Sequence, residues 1–170
     1  MSIPGILYTC TICGFRYVFQ RPMRFYKYLF NDNTVLKMKW DTGWCFDCDC
    51  VACVEVLPSL DELYERAKII CSSEGDEAAA FINESVSEIY KRIQWRKERV
   101  SPARCMDCGR VKISTLDFIP ISDSVSQTKE FTHKCGGFLQ VKDDVDGLRI
   151  CFKSTDEIPV LYDYEGNLIV

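Results

Sequence analysis

Two early stretches alternate with period two. Phe15, Tyr17 and Phe19 are separated by Arg16, Val18 and Gln20, and Leu36, Met38 and Trp40 by Val35, Lys37 and Lys39. Such alternation puts one apolar face on an extended chain and predicts strands. Asn31-Asp32-Asn33 supplies turn chemistry between them, and Asp41-Thr42-Gly43 supplies it again after the second. The run from Cys50 to Val56 is apolar and rich in β-branched residues, which predicts a further strand. Beyond Pro58 the period changes. Ser59 and Glu62 form a capping-box signature, and Leu60, Leu63, Tyr64, Ala67, Ile70 and Cys71 recur at three and four residues, predicting a helix over 59–72. A second helix is expected from the Ser72–Gly75 break to about Arg99, with Ile82, Val86, Ile89, Tyr90 and Ile93 on its apolar side and Pro102 as its stop. Strands are expected again at 111–113, 138–141, 148–152, 159–162 and 168–170, joined by polar turns such as 122–126.

These elements describe an α+β chain in which two small β units, 1–57 and 102–170, bracket a helical hairpin at 58–101. The 170 residues are 47% hydrophobic and 27% charged, the balance of a folded chain. No stretch approaches the ~20 apolar residues that a bilayer crossing needs, and the N-terminus lacks the basic start and cleavage site of a secretion signal. A cytoplasmic protein without membrane contact is the expectation, with its thiols kept reduced.

The eleven cysteines change the picture most. Four pairs have C-x-x-C spacing: Cys10 with Cys13, Cys45 with Cys48, Cys50 with Cys53, and Cys105 with Cys108; His133-Lys134-Cys135 follows. Two intervening residues let a tight turn aim both sulfurs at one ion while turn amides donate to the thiolates. Gly14, Gly109 and Gly136 each follow a cysteine, where the turn calls for a positive φ. Two zinc ions are therefore expected. The first is assigned to Cys10, Cys13, Cys45 and Cys48, with Cys50 and Cys53 as the alternative second pair. The second is assigned to Cys105, Cys108, Cys135 and His133, with Cys151 or water in place of the histidine as the alternative. Cys71 and the remaining thiols read as small core residues.

The Cys10-Thr11-Ile12-Cys13-Gly14, Cys45-x-x-Cys48 and Cys105-Met106-Asp107-Cys108-Gly109 motifs resemble the zinc-ribbon and rubredoxin-like superfamily, locally over about residues 8–56 and 103–152. The resemblance implies two knuckles on adjacent hairpins gripping one ion. It implies a scaffold rather than an activity, and His133-x-Cys135 departs from it. On this reading the sulfur clamps substitute for an apolar interior that each end unit is too thin to build.

Charge is segregated. Residues 14–40 carry six basic and one acidic side chain, 41–90 two and twelve, and 91–112 eight and two, within a net charge of −4. Arg16, Arg21, Arg24 and Lys27, taken with Lys91, Arg92, Arg96, Lys97, Arg99 and Arg110, form a candidate nucleic-acid face, with Phe25, Tyr26 and Tyr28 for base stacking. Helix-dipole and core roles explain the same residues without nucleic acid. Catalysis finds little support. A closed four-ligand zinc site has no position for substrate, the single histidine leaves no triad, and thiol exchange at Cys50 and Cys53 sits in a strand context. Asp143 to Gly147 imitates a calcium loop, but in that register Lys142 falls on the first ligand position. The expected function is a non-enzymatic zinc-binding interaction or adaptor protein whose partner is another protein; nucleic-acid binding through 14–40 and 91–112 is the alternative.

Overall fold

The computed structural model describes residues 2–3, 5–19, 25–72, 86–143, 150–151 and 159–169. The fold is α+β, and the two helices fall between β segments in the sequence. The chain separates into two compact units, but not at the expected boundaries of 57 and 101. Unit 1 gathers Met1–Arg24, Trp40–Glu55 and Arg104–Ile158; unit 2 gathers Phe25–Lys39, Val56–Ala103 and Pro159–Val170.

Unit 1 is built from antiparallel strands. Strands β1 (Ser2–Ile3) and β12 (Ile150–Cys151) pair by themselves. A five-stranded sheet has the order β3-β2-β11-β10-β9, from β2 (Ile6–Cys10), β3 (Arg16–Phe19), β9 (Phe118–Ser122), β10 (Val125–Thr132) and β11 (Phe138–Asp143). A three-stranded sheet has the order β7-β6-β8, from β6 (Trp40–Cys45), β7 (Cys50–Glu55) and β8 (Ile113–Thr115). The apolar positions of β2, β3 and β11 meet those of β6 and β7: Tyr8, Phe19, Trp44, Val51, Leu116, Phe131 and Leu139 form one buried cluster. Strands from both ends of the sequence combine into one body around a shared aromatic and aliphatic cluster.

In unit 2, β4 (Tyr26–Leu29) lies between β5 (Val35–Lys37) and a parallel β13 (Val160–Tyr162). Helices α1 (Leu60–Ser72) and α2 (Val86–Glu98) bury Leu63, Ala67 and Ile70 against Ile89 and Ile93. The capping box forms: Ser59 N–H donates to Glu62 Oε2 at 2.7 Å, and Glu62 N–H to Ser59 Oγ at 3.1 Å. Tyr64, Cys71 and Tyr90, expected on the buried stripes, are exposed. They sit at the margins of stripes that the two packed helices fill with aliphatic side chains. The expected Ile82 lies outside the described residues. Arg92 of α2 is buried, donating to Lys37 O at 3.0 Å and facing Glu88 at 3.4 Å. Arg99 is buried too, its guanidinium 5.5 Å from the Tyr28 ring and 5.3 Å from that of Trp95.

Candidate metal centres

The candidate ligands sit in and beside four tight turns. Gly14, Gly109 and Gly136 hold φ values of +69°, +72° and +82°, the conformation their place after cysteine calls for. The fourth turn follows Cys48 with Asp49, at φ +52°. Asp is among the few side-chain-bearing residues that enter this region at modest cost, so it stands where the other turns use glycine. The Asp-rich context of Cys45 and Cys48 was legible in the sequence, but the left-handed role of Asp49 was not; the signal available was its position after Cys48, matching Gly14 after Cys13 and Gly109 after Cys108.

The eight expected ligands fall into two groups of four, each with its ligand atoms within 4.8 Å of one another. The partners differ from those expected. Cys10 and Cys13 join His133 and Cys135, while Cys45 and Cys48 join Cys105 and Cys108. Strand pairing is the cause. Cys10 is opposite Leu139 where β2 pairs with β11, so the 10–13 turn lies beside the 133–137 turn. Two hydrogen bonds lock them: Thr11 N–H to Phe138 O at 3.0 Å, and Phe138 N–H to Thr11 Oγ1 at 3.0 Å. Cys45 meets Ile113 where β6 pairs with β8, and an isolated bridge joins Val54 to Cys105. Cys50 and Cys53 belong to neither group. They lie in β7, as the apolar context suggested, and Cys53 is core. Cys151 lies in β12, and its side chain falls outside the described residues.

The geometry suits an ion in each group. Nδ1 of His133 is 3.3 Å from Sγ of both Cys13 and Cys135, Cys10 and Cys135 sulfurs are 3.3 Å apart, and Cys45 and Cys108 sulfurs 3.6 Å. Zinc–sulfur bonds of about 2.3 Å in a tetrahedron give edges of roughly 3.8 Å, close to these separations. Either group could hold a metal ion, and both donor sets are compatible with zinc. His133 presents Nδ1 to the sulfurs, while its Nε2 is buried with no hydrogen-bond partner. The ring stacks against Phe15 at 5.1 Å and meets Trp44 edge to face at 5.3 Å, which fixes its orientation by packing.

Turn amides point at the sulfurs. Cys48 N–H approaches Cys45 Sγ at 3.4 Å. The His133 side chain, with the Gly137 amide, brings the Cys135 thiol down to about 6. Burial raises Cys105 to about 12 against opposing amides of Cys108 and Asp107, and burial followed by the neighbouring Cys108 and Cys45 sulfurs raises Cys48. Burial thus disfavours uncompensated thiolates at Cys48 and Cys105, and a divalent ion shared by the four sulfurs would offset part of their charge. Gly137 is a further requirement: a Cβ there would stand 2.6 Å from Cys10 Sγ. Asp49 of one group's turn forms an ion pair at 2.5 Å with Lys134 of the other's, linking the two groups at the surface.

The candidate nucleic-acid residues fare differently from one another. Tyr26 and Tyr28 are buried in the unit 2 sheet, as are Arg92 and Arg99 in their internal contacts, whereas Phe25, Arg16, Lys91, Lys97 and Arg110 are exposed. Arg21 and Arg24 lie outside the described residues.

No protein-family model, curated protein or solved structure matches the chain. The likeness to zinc knuckles rests on the motifs and on the geometry of the two four-ligand groups.

Proposed function

We propose that this is a non-enzymatic zinc protein in which two closed structural sites present an interaction surface to another protein. The observation that carries the reading is the completeness of each group: four protein donors within 4.8 Å leave a tetrahedral ion no open position for water or substrate. The side chains between the ligands favour contact with a protein. Ile12 and Phe46, each inside a Cys-x-x-Cys turn, are 67% and 54% exposed, although the chemistry of the turns demands nothing apolar there. The nucleic-acid alternative is less favoured because Tyr26, Tyr28, Arg92 and Arg99 are engaged in the interior.

Elemental analysis tests the metal reading. Two zinc ions per chain are expected, one after Cys13→Ser or Cys108→Ser, and still two after Cys50→Ser. Cobalt-substituted protein should show closed tetrahedral spectra unchanged by added anions; an anion-sensitive band would overturn the structural assignment. The interaction is tested by affinity capture with the zinc-loaded protein and with an Ile12→Asp, Phe46→Asp double variant that retains both ions. A defined partner held by the first and lost by the second is expected. Equal capture by both, or low-salt binding of oligonucleotides with no protein partner, would overturn it.

A further inference from the structure

Trp44 immediately precedes Cys45, a ligand of one group, yet its ring lies against the other group. It meets the His133 ring edge to face at 5.3 Å, Phe15 at 5.5 Å and Phe131 at 5.4 Å. Between them these three residues serve both turns of the Cys10, Cys13, His133 and Cys135 group. Phe15 follows Gly14 and closes the first turn by accepting from the Cys10 amide at 2.9 Å, while Phe131 stands two residues before His133. Trp44 is 2% exposed and His133 4%, so neither ring can turn without displacing close-packed neighbours.

Nδ1 of His133 faces the sulfurs, and its Nε2 is buried with no hydrogen-bond partner. Metal-binding histidines ordinarily have that second nitrogen held by a carboxylate or a carbonyl. Here ring packing aims the imidazole instead, and one of the two rings that do so, Trp44, is carried by β6, the strand that ends in Cys45. Holding the Cys45 sulfur on an ion therefore also holds the Trp44 ring. Holding His133 Nδ1 on an ion sets the imidazole against the same ring, so the second site to fill finds part of its ordering already done. The Asp49–Lys134 pair joins the two groups at the surface, but both side chains are more than half exposed and contribute little to this linkage.

We propose that Trp44 is a positioning residue that couples the two groups, so that metal bound at one raises the affinity of the other. The inference rests on the reading of both groups as zinc sites and adds that they fill as a linked pair.

His133 is the chain's one histidine, so its imidazole NMR signals report the occupancy of its own group. Zinc is titrated into the full chain against a chelator that buffers free zinc, while native mass spectrometry counts ions per molecule. The group that fills second in the wild type should need between about threefold and tenfold more free zinc once the other is disabled by Cys108→Ser or Cys13→Ser. Adding Trp44→Leu to each of these chains should bring that factor below about twofold with the intact groups still filling. His133→Cys keeps a donor at its position while removing the ring from Trp44, and should do the same if the Trp44 variant does not fold. Phe19→Leu loosens the same buried cluster at the other end of β3 from Phe15 and should leave the factor unchanged. An unchanged second affinity in the ligand variants, a factor that survives Trp44→Leu or His133→Cys, or an equal loss in Phe19→Leu would overturn the inference. Two ions bound without linkage remove the coupling alone, whereas a wild type that takes up no zinc removes the metal reading as well.

Discussion

Asp49 shows how much one residue carries. It holds a left-handed backbone conformation in the turn after Cys48, and its carboxylate pairs with Lys134 beside the other group. The pair is more than half exposed on both sides and contributes less than about 1 kcal/mol. The backbone requirement is larger. Asp49→Ala should destabilise by about 1 kcal/mol in denaturant titration, whereas Asp49→Gly should be nearly neutral, the loss of the ion pair being offset by relief of the turn. If the two variants are equally destabilised, the ion pair rather than the backbone governs the position. His133 is the complementary case. Its place two residues before Cys135 was readable, but the choice of Nδ1 and the packing by Phe15 and Trp44 were not, since those rings come from distant parts of the chain.

Elements with local determinants follow the sequence closely. Helix α1 begins at Leu60 because Ser59 and Glu62 satisfy each other's amides, a signal contained in four residues. Ser59→Ala should cost about 1 kcal/mol, read from the denaturation midpoint. Glu62 adds a pH dependence. Its carboxyl lies below the ordinary value of 4.5 because the Ser59 amide, followed by the Ser59 side chain, favours the anion. The stabilisation is thus fully present above about pH 4.5 and is lost as pH falls through the lower folded value. The Ser59 amide resonance should titrate in that window and stop doing so in Glu62→Gln; an unchanged titration would exclude the cap as its source. Strands fared less evenly. β7 announces itself through Val51, Val54 and their neighbours, whereas β9 and β10 went unread, because Pro120 and the mixed polar sequence of Val125–Thr132 give no clean alternation. The polar turn expected at 122–126 does contain the reversal that joins them.

At the scale of the whole molecule, all eight candidate ligands belong to unit 1, and the α1–α2 core contains none of them. Chelation should therefore act unevenly. Hydrogen-exchange protection is expected to fall at the four turns and in the strands β2, β11, β6 and β8 that they terminate, while Leu63 and Ile89 amides keep theirs. Equal loss in both units would show that the ions stabilise the chain as one cooperative block. The aromatic cluster around Trp44 and Phe131 gives unit 1 an apolar interior of its own, so the metal is expected to fasten one end of an existing core rather than replace it.

The sequence by itself determined the ligand candidates, the α+β composition, the helix cap and the glycine-dependent turns. Each of these is encoded within a few consecutive residues, where spacing fixes direction. Only the tertiary structure decided which turns face each other, that residues 25–39 leave the first β unit, and that the flanks build a single interior. Those outcomes depend on pairing between strands far apart in the sequence, such as the antiparallel register that sets Cys10 opposite Leu139 and the parallel one that sets Tyr26 beside Val160. The free energy of that pairing lies in cross-strand contacts and shared burial, which no local pattern records.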